Sequence, residues 1–148
     1  MSADVPPHRF PQPEWNDPTS VDTALEALRD AHDESSADEA CDRLLWALGS
    51  NHEGTFYPVV LAVLPEIGPI LQHGSAWSQR AAMEALIDLG GTFVPEDGHE
   101  VHGGVSVQQA VRAFIRAMRD VVAPLAAGDD ARARSANELV ELIDDLAD

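Results

Sequence analysis

The stretch Gly54-Thr55-Phe56-Tyr57-Pro58 is echoed further along the chain by Gly91-Thr92-Phe93-Val94-Pro95, with first residues at positions 54 and 91, 37 apart. Each copy follows a helix-like run that ends in Leu-Gly, at Leu48-Gly49 and at Leu89-Gly90, and these ends lie 41 residues apart. Both spacings are typical of two-helix solenoid repeats, in which each helix pair packs on its neighbours. The echo therefore predicts a short row of helix pairs.

The composition of the 148-residue chain favours a single all-α domain. Only 5% of the residues are aromatic while 45% are hydrophobic, with many Ala and Leu, and this balance suits helix packing better than sheet packing. A second independent domain would be near the lower size limit. We expect one HEAT-like helical domain over residues 20–148, made of about three antiparallel helix pairs.

Residues 1–19 are expected to form an extended Pro-rich arm, since proline cannot continue a helix. Five prolines lie in this stretch: Pro6, Pro7, Pro11, Pro13 and Pro18. Phe10 and Trp15 are the side chains that we expect to pin the arm to the helical body.

Apolar periodicity predicts the first three helices. The first begins after Ser20, and the second begins at a capping box formed by Ser36 and Glu39 and ends at Gly49. Cys41 lies on the inner stripe of the second helix, so we expect a buried thiol. As the chain's single cysteine, Cys41 cannot form an internal disulfide.

The third helix is expected from about Pro58 to His73. It is apolar nearly all round, so it should be the central buried helix. Pro65 and Pro69 lie inside it and are expected to kink it or split it in two.

Three more helices complete the prediction. The fourth is capped by Ser75 and covers 76–89, the fifth runs from Ser106 to an end at Pro124, and the sixth covers about 129–146. A polar, Gly-rich loop over 91–105 separates the fourth helix from the fifth.

The charge is the strongest functional signal. The chain carries 26 carboxylates against nine basic residues, all arginine, for a net charge of −17. Such a surface repels nucleic acid and anionic lipid and attracts a basic protein. Carboxylates three or four residues apart repel one another along a helix, so these stripes are not there to stabilise it. The predicted partner-binding residues are Asp30, Glu34, Asp38, Asp42, Glu138, Glu141 and Asp145.

A solvated surface or an adaptation to high salt would explain the same charge without any partner. A general interaction scaffold therefore remains an alternative function.

A second set of candidates lies in the loops. His99, Glu100 and His102 are close in sequence, and His52 and Glu53 lie in the corresponding loop of the preceding repeat. Imidazoles can bind zinc, but structural zinc sites usually show tighter paired spacing of Cys and His. We expect a solvated polar loop with no metal and no other cofactor, and the alternative is a metal-dependent enzyme that uses His52, His99 and His102.

No standard catalytic signature is present. The sequence lacks a P-loop, a Gly-x-Ser-x-Gly elbow and a His-Glu-x-x-His helix. The N-terminal stretch lacks the apolar segment of a signal peptide, and no apolar run is long enough to span a bilayer. We expect a cytoplasmic protein that is not an enzyme and does not bind a membrane.

The segment from Leu45 to Pro58, with the Pro-containing helix after it, resembles a bacterial HEAT-repeat-like family. Proteins of that family carry a similar Gly-Thr-x-Tyr-Pro entry into a Pro-kinked helix. The resemblance covers roughly residues 41–95, and the second copy departs from it with Val94 in place of Tyr57. Some relatives resemble immunity proteins, which neutralise a toxin from the same or a neighbouring cell. The resemblance thus implies a toxin domain as the basic partner and supplies no catalytic residue.

Overall fold

The computed structural model describes residues 6–146, so residues 1–5 of the predicted arm and 147–148 of the predicted domain lie outside it. The described residues are mostly helical, which confirms the all-α class. Their seven α-helices are α1 (Ser20–Asp30), α2 (Glu34–Leu48), α3 (Val60–His73), α4 (Ala76–Gly90), α5 (Val107–Ala117), α6 (Arg119–Ala126) and α7 (Ala131–Asp145). Four two-residue strands lie between them: β1 (Thr55–Phe56), β2 (Val94–Pro95), β3 (Val101–His102) and β4 (Val105–Ser106).

Serine caps start two of the helices as the sequence predicts. The Ser75 hydroxyl accepts a hydrogen bond from the Ser78 N–H at 3.1 Å at the start of α4. The Ser106 hydroxyl accepts one from the Gln109 N–H at 3.2 Å at the start of α5. Each cap satisfies a backbone donor that the helix itself leaves unpaired.

The predicted capping box of α2 is wrong. The cap is Asp33, whose carboxylate accepts from the Ser36 N–H at 2.7 Å, while the Ser36 hydroxyl accepts in return from the Asp33 N–H at 3.1 Å. Ser36 is therefore the third helical residue, and Glu39 lies one turn further on. Asp33 takes the cap position because the backbone is extended there, with φ −155° and ψ 178°, and becomes helical only from Glu34.

Helix α3 is continuous, so the predicted split at its prolines does not occur. Pro65 and Pro69 lie one turn apart, and both are exposed. The carbonyl groups that lose their N–H partners, those of Leu61 and Pro65, therefore lie towards the solvent, where water can bond them.

The central helix is α4, and the prediction that the third helix holds this place is wrong. Helix α4 packs against α1, α2, α3, α5 and α7. Small residues make this possible: Ala81, Ala82 and Ala85 are buried, and a methyl group on Gly90 would lie 2.4 Å from the Ile115 Cδ1 atom. Low side-chain volume lets neighbouring helices approach α4 from several directions.

The predicted fifth helix is in fact two, α5 and α6, which meet at Met118. The Met118 N–H contacts the carbonyls of Phe114 at 3.2 Å and of Ile115 at 3.0 Å, which tightens the chain at this turn. Pro124, predicted to end the helix, lies inside α6, and the helix continues to Ala126.

The two echoed stretches lie side by side in the structure. Strands β1 and β2 pair in parallel, with Thr55 opposite Val94 and Phe56 opposite Pro95. Gly54 adopts a φ of 75°, a left-handed conformation that glycine adopts readily. At the end of α2, a methyl group on Gly49 would lie 2.0 Å from the Thr55 carbonyl oxygen, so the turn after this helix needs glycine. The echoed stretches thus meet as neighbouring strands, although Gly91, the counterpart of Gly54, follows the end of α4 with a negative φ of −96°.

The described part of the arm packs on the helical body. It contains one short 3₁₀ turn, Pro7–Arg9, and the Pro11 carbonyl accepts from the Val59 N–H at 3.0 Å. The Trp15 Nε1 atom donates to the Trp46 carbonyl at 2.9 Å, and the half-buried Phe10 packs against the core. Both predicted anchors therefore make contact.

Candidate functional site

Acidic residues from α2, α4 and α7 form one surface. The stripe on α2 is spaced by single turns, and α4 carries a parallel stripe with the same spacing, Arg80, Glu84 and Asp88. Helix α4 packs directly on both α2 and α7. We call this surface the acidic face and define it by six carboxylates: Glu34, Asp38, Asp42, Glu84, Asp88 and Glu138.

Arg80 holds the α2 and α4 stripes together. Its guanidinium nitrogens lie 3.7 Å from a Glu34 carboxylate oxygen, 3.4 Å from one of Asp38 and 3.3 Å from one of Glu84. Its side chain is only 15% exposed and lies over the Trp77 ring, 5.2 Å from the ring centroid. Because Arg80 is already shared among three carboxylates, it offsets only part of their charge.

The pKa of Asp88 reflects both burial and repulsion between carboxylates of the acidic face. Burial raises the pKa of this half-buried carboxyl group, and the charges of Glu84, Asp42 and Glu138 raise it further. The Ser135 hydroxyl on α7 donates to Glu84 at 2.9 Å and so ties α7 to α4 here. Carboxylates from three helices are thus close enough to disfavour one another's charge, and a cation placed among them would relieve this repulsion.

A cavity of about 480 Å³ opens beside Arg80, between α4 and the start of α7. Its walls include Glu34, Glu84 and Glu138 from the acidic face, together with Arg134. Most of its ionisable groups are carboxylates, so the cavity suits a polar, positively charged side chain better than an apolar one.

The other predicted partner-binding residues differ in how they relate to this face. Glu141 and Asp145 are exposed, and helical spacing places them within about 60° of Glu138 around α7, so they continue the acidic face along that helix. Asp30 is exposed at the end of α1. In the described part of the chain, no ion pair or side-chain hydrogen bond joins Asp30 to the acidic face.

The loop histidines take part in separate contacts. The His99 ring lies 4.9 Å from the Tyr57 ring, and the His102 ring lies 5.0 Å from the Phe10 ring, measured between centroids. His52 is exposed. Among residues 6–146, no three His, Cys, Asp or Glu side chains are grouped so that they could hold a metal ion. These contacts are those of aromatic packing between the loop, the arm and the entry to α3.

The two carboxylates predicted as loop candidates, Glu53 and Glu100, also have different surroundings. The Glu100 side chain accepts from the Gly98 N–H at 3.1 Å, within the turn that leads into the antiparallel hairpin of β3 and β4. Glu53 is exposed, and its backbone N–H donates to the Ser50 hydroxyl at 3.1 Å. Glu100 thus stabilises a local turn.

Cys41 lies on the inner side of α2, as the sequence predicts. Burial raises the pKa of its thiol strongly, and nearby carboxylates add to the shift, led by Asp88 and Glu84. A thiol kept protonated in this way is a poor nucleophile and a poor metal ligand.

Sequence reasoning missed Glu84 and Asp88. Helix α4 has a buried apolar stripe that includes Ala81, Ala85 and Leu89, and such a stripe draws attention away from the polar side of the helix. The one-turn spacing of Arg80, Glu84 and Asp88 was the available signal for a polar stripe on the same helix.

Comparison with known proteins assigns the chain to no family. No protein-family model matches it, and no curated protein or solved structure is significantly similar to it. Of the described helices, none has the length and apolar character needed to cross a membrane. The acidic face is therefore the main guide to function.

Proposed function

We propose that this protein is an acidic protein-binding module that neutralises a basic partner, as an immunity protein does with its cognate toxin domain. The observation that carries the proposal is the convergence of carboxylates from α2, α4 and α7 around Asp88, whose pKa is raised. A basic partner would supply the positive charge that this surface lacks.

Electrostatics favours such a partner in two ways. A surface of one sign accelerates encounter with a partner of the opposite sign and excludes partners of the same sign. A bound cation would also offset the carboxylate repulsion that adds to the effect of burial on the Asp88 pKa, since a nearby cation favours the charged carboxylate. The acidic face would therefore contribute to both the rate and the selectivity of association.

We propose further that the helices form a short HEAT-like solenoid of three helix pairs. The contacts support this: α1 packs on α2, α3 on α4, and α6 on α7, while α2, α4 and α7 follow one another in a row. In that arrangement α2, α4 and α7 form one layer, and the acidic face is its outer surface. Solenoids commonly bind partners across such extended surfaces. As an immunity protein of this kind, it would act in the cytoplasm.

Growth rescue tests this function. The product of the gene next to this one would be expressed in a bacterial host, alone and together with this protein. We predict that the neighbouring product slows growth, that co-expression restores it, and that the two proteins purify as a complex. Toxicity without rescue would contradict the inhibitor function and favour a general scaffold. An absence of toxicity would rule out the neighbouring product as the toxin.

A further inference from the structure

Two adjacent tryptophans lie partly exposed where the arm meets α2. Trp15 is 52% exposed and Trp46 is 44% exposed. Their ring centroids are 5.9 Å apart, and the ring planes meet at 72°. The hydrogen bond from Trp15 Nε1 to the Trp46 carbonyl satisfies the indole N–H but leaves a large part of each ring in water. Exposed indole surface of this kind is typical of contact sites, where tryptophan contributes heavily to binding.

The tryptophan pair continues the acidic face. Asp38, Asp42 and Trp46 follow one another at one-turn intervals along α2, so they lie on the same side of the helix. On the arm, Glu14 and Asp17 flank Trp15 and are both exposed. The indole rings are therefore set among carboxylates.

A cavity of about 340 Å³ opens at the corner between the two rings. Its walls include Trp15, Trp46, Asp17 and Arg43. The positive charge of Arg43 is already paired with Glu39 on the same helix, at 3.2 Å. The walls themselves carry one carboxylate and one guanidinium, and the nearby Asp42 and Glu39 on α2 make the surroundings of the corner net negative.

We propose that the corner between Trp15 and Trp46 binds an arginine side chain of the basic partner. This inference rests on the proposed function, because it names a side chain with which that partner would engage the protein. A guanidinium group is planar, so it can stack on one indole ring while its charge is balanced by the nearby carboxylates. A lysine ammonium group is compact, strongly hydrated and unable to stack. An acidic side chain would be repelled.

Two peptides of equal length and charge test the inference, one rich in arginine and the other rich in lysine. Affinities would be measured by calorimetry for the wild type and for Trp46→Leu, which keeps the backbone carbonyl that accepts from Trp15. We expect the wild type to prefer the arginine peptide, and Trp46→Leu to weaken its binding about fivefold or more. The affinity for the lysine peptide should fall less, because an ammonium group can make a cation–π contact with an indole ring but cannot stack on it.

Two further variants serve as controls. Val101→Ala removes apolar surface from a side chain that is 61% exposed on the β3–β4 hairpin, and it should leave both affinities unchanged. Trp15→Phe removes the indole N–H but keeps an aromatic face, so it should keep a preference for arginine. Far-ultraviolet circular dichroism would show that each variant keeps its helical content.

The outcomes separate this inference from the proposed function. If both peptides bind equally and Trp46→Leu changes neither affinity, the tryptophan corner does not bind arginine, although salt-sensitive binding of both peptides would still support the acidic face. If neither peptide binds, the arginine site is contradicted, while growth rescue by the whole protein still decides the proposed function.

Discussion

At the scale of one residue, Gly49 allows the backbone of β1 to pass close to the end of α2. A methyl group at this position would collide with the backbone of β1, 2.0 Å from the Thr55 oxygen and 2.6 Å from the Phe56 Cα atom. Both obstacles are main-chain atoms, so a change of side-chain rotamer cannot relieve the clash. The link between α2 and α3 would have to move.

We therefore predict that Gly49→Ala lowers the free energy of unfolding by about 1–3 kcal/mol, the usual cost of forcing extra volume into a packed site. Gly68→Ala is the matched control. Gly68 lies inside α3, and no atom stands within 4 Å of an added methyl group. That variant should be about 0.5–1 kcal/mol more stable than the wild type, because alanine favours a helix interior. Urea unfolding measures both changes, and equal effects would contradict the steric account of Gly49.

Other residues show what local sequence can and cannot predict. The Ser75 cap and the buried Cys41 were predicted correctly, because a cap depends on a few neighbouring residues and burial on a regular apolar stripe. The cap of α2 was assigned wrongly, because Asp33 and Ser36 are both good cap residues three positions apart. Only the backbone path decides between them.

At the scale of elements, Ser75 links the start of α4 to α1. Its hydroxyl accepts from the Ser78 N–H at 3.1 Å and donates to the Ala31 carbonyl at 3.1 Å. We predict that Ser75→Ala lowers the free energy of unfolding by about 1 kcal/mol, through the lost cap. Ser35→Ala, at an exposed position in the first turn of α2, should change it little. If the two variants lose the same stability in chemical denaturation, Ser75 is not acting as a cap.

The positions of regular helices were predicted well, but the way in which the helices pack was predicted less well. Apolar periodicity located α1, α3 and α4, but it continued across Met118 and merged α5 with α6. The break between α5 and α6 goes with the packing of α6 against α7, and the periodicity of one segment carries no information about such packing. For the same reason, the most apolar helix, α3, was wrongly predicted to be the central one. Helix α4 is central because its small residues let many helices pack against it.

At the scale of the whole molecule, the acidic face could be predicted only in part. The stripes on α2 and α7 follow from helical spacing within each element. Their joining across α4 depends on how the helices are rotated against one another, and so on contacts between residues distant in sequence, such as Ser135 and Glu84. The tryptophan corner likewise needs the arm to fold back onto α2.

We propose that the acidic face, rather than the net charge of −17, selects the partner. Asp42→Lys with Glu138→Lys reverses two of its charges without touching the ion pairs of Arg80. Asp22→Lys with Glu26→Lys is the control, on exposed positions of α1 beside a groove shared with α3. Each pair replaces two carboxylates by two ammonium groups, so each moves the net charge by four, from −17 to −13.

The decisive measurement is the rate of association with the product of the neighbouring gene, followed by stopped-flow fluorescence over a range of salt concentrations. We predict that the double variant at Asp42 and Glu138 associates about tenfold more slowly at low salt and loses much of its salt dependence. The double variant at Asp22 and Glu26 should stay within about twofold of the wild type at the same salt. If both double variants slow association equally, only the total charge matters, and the acidic face is not the binding surface.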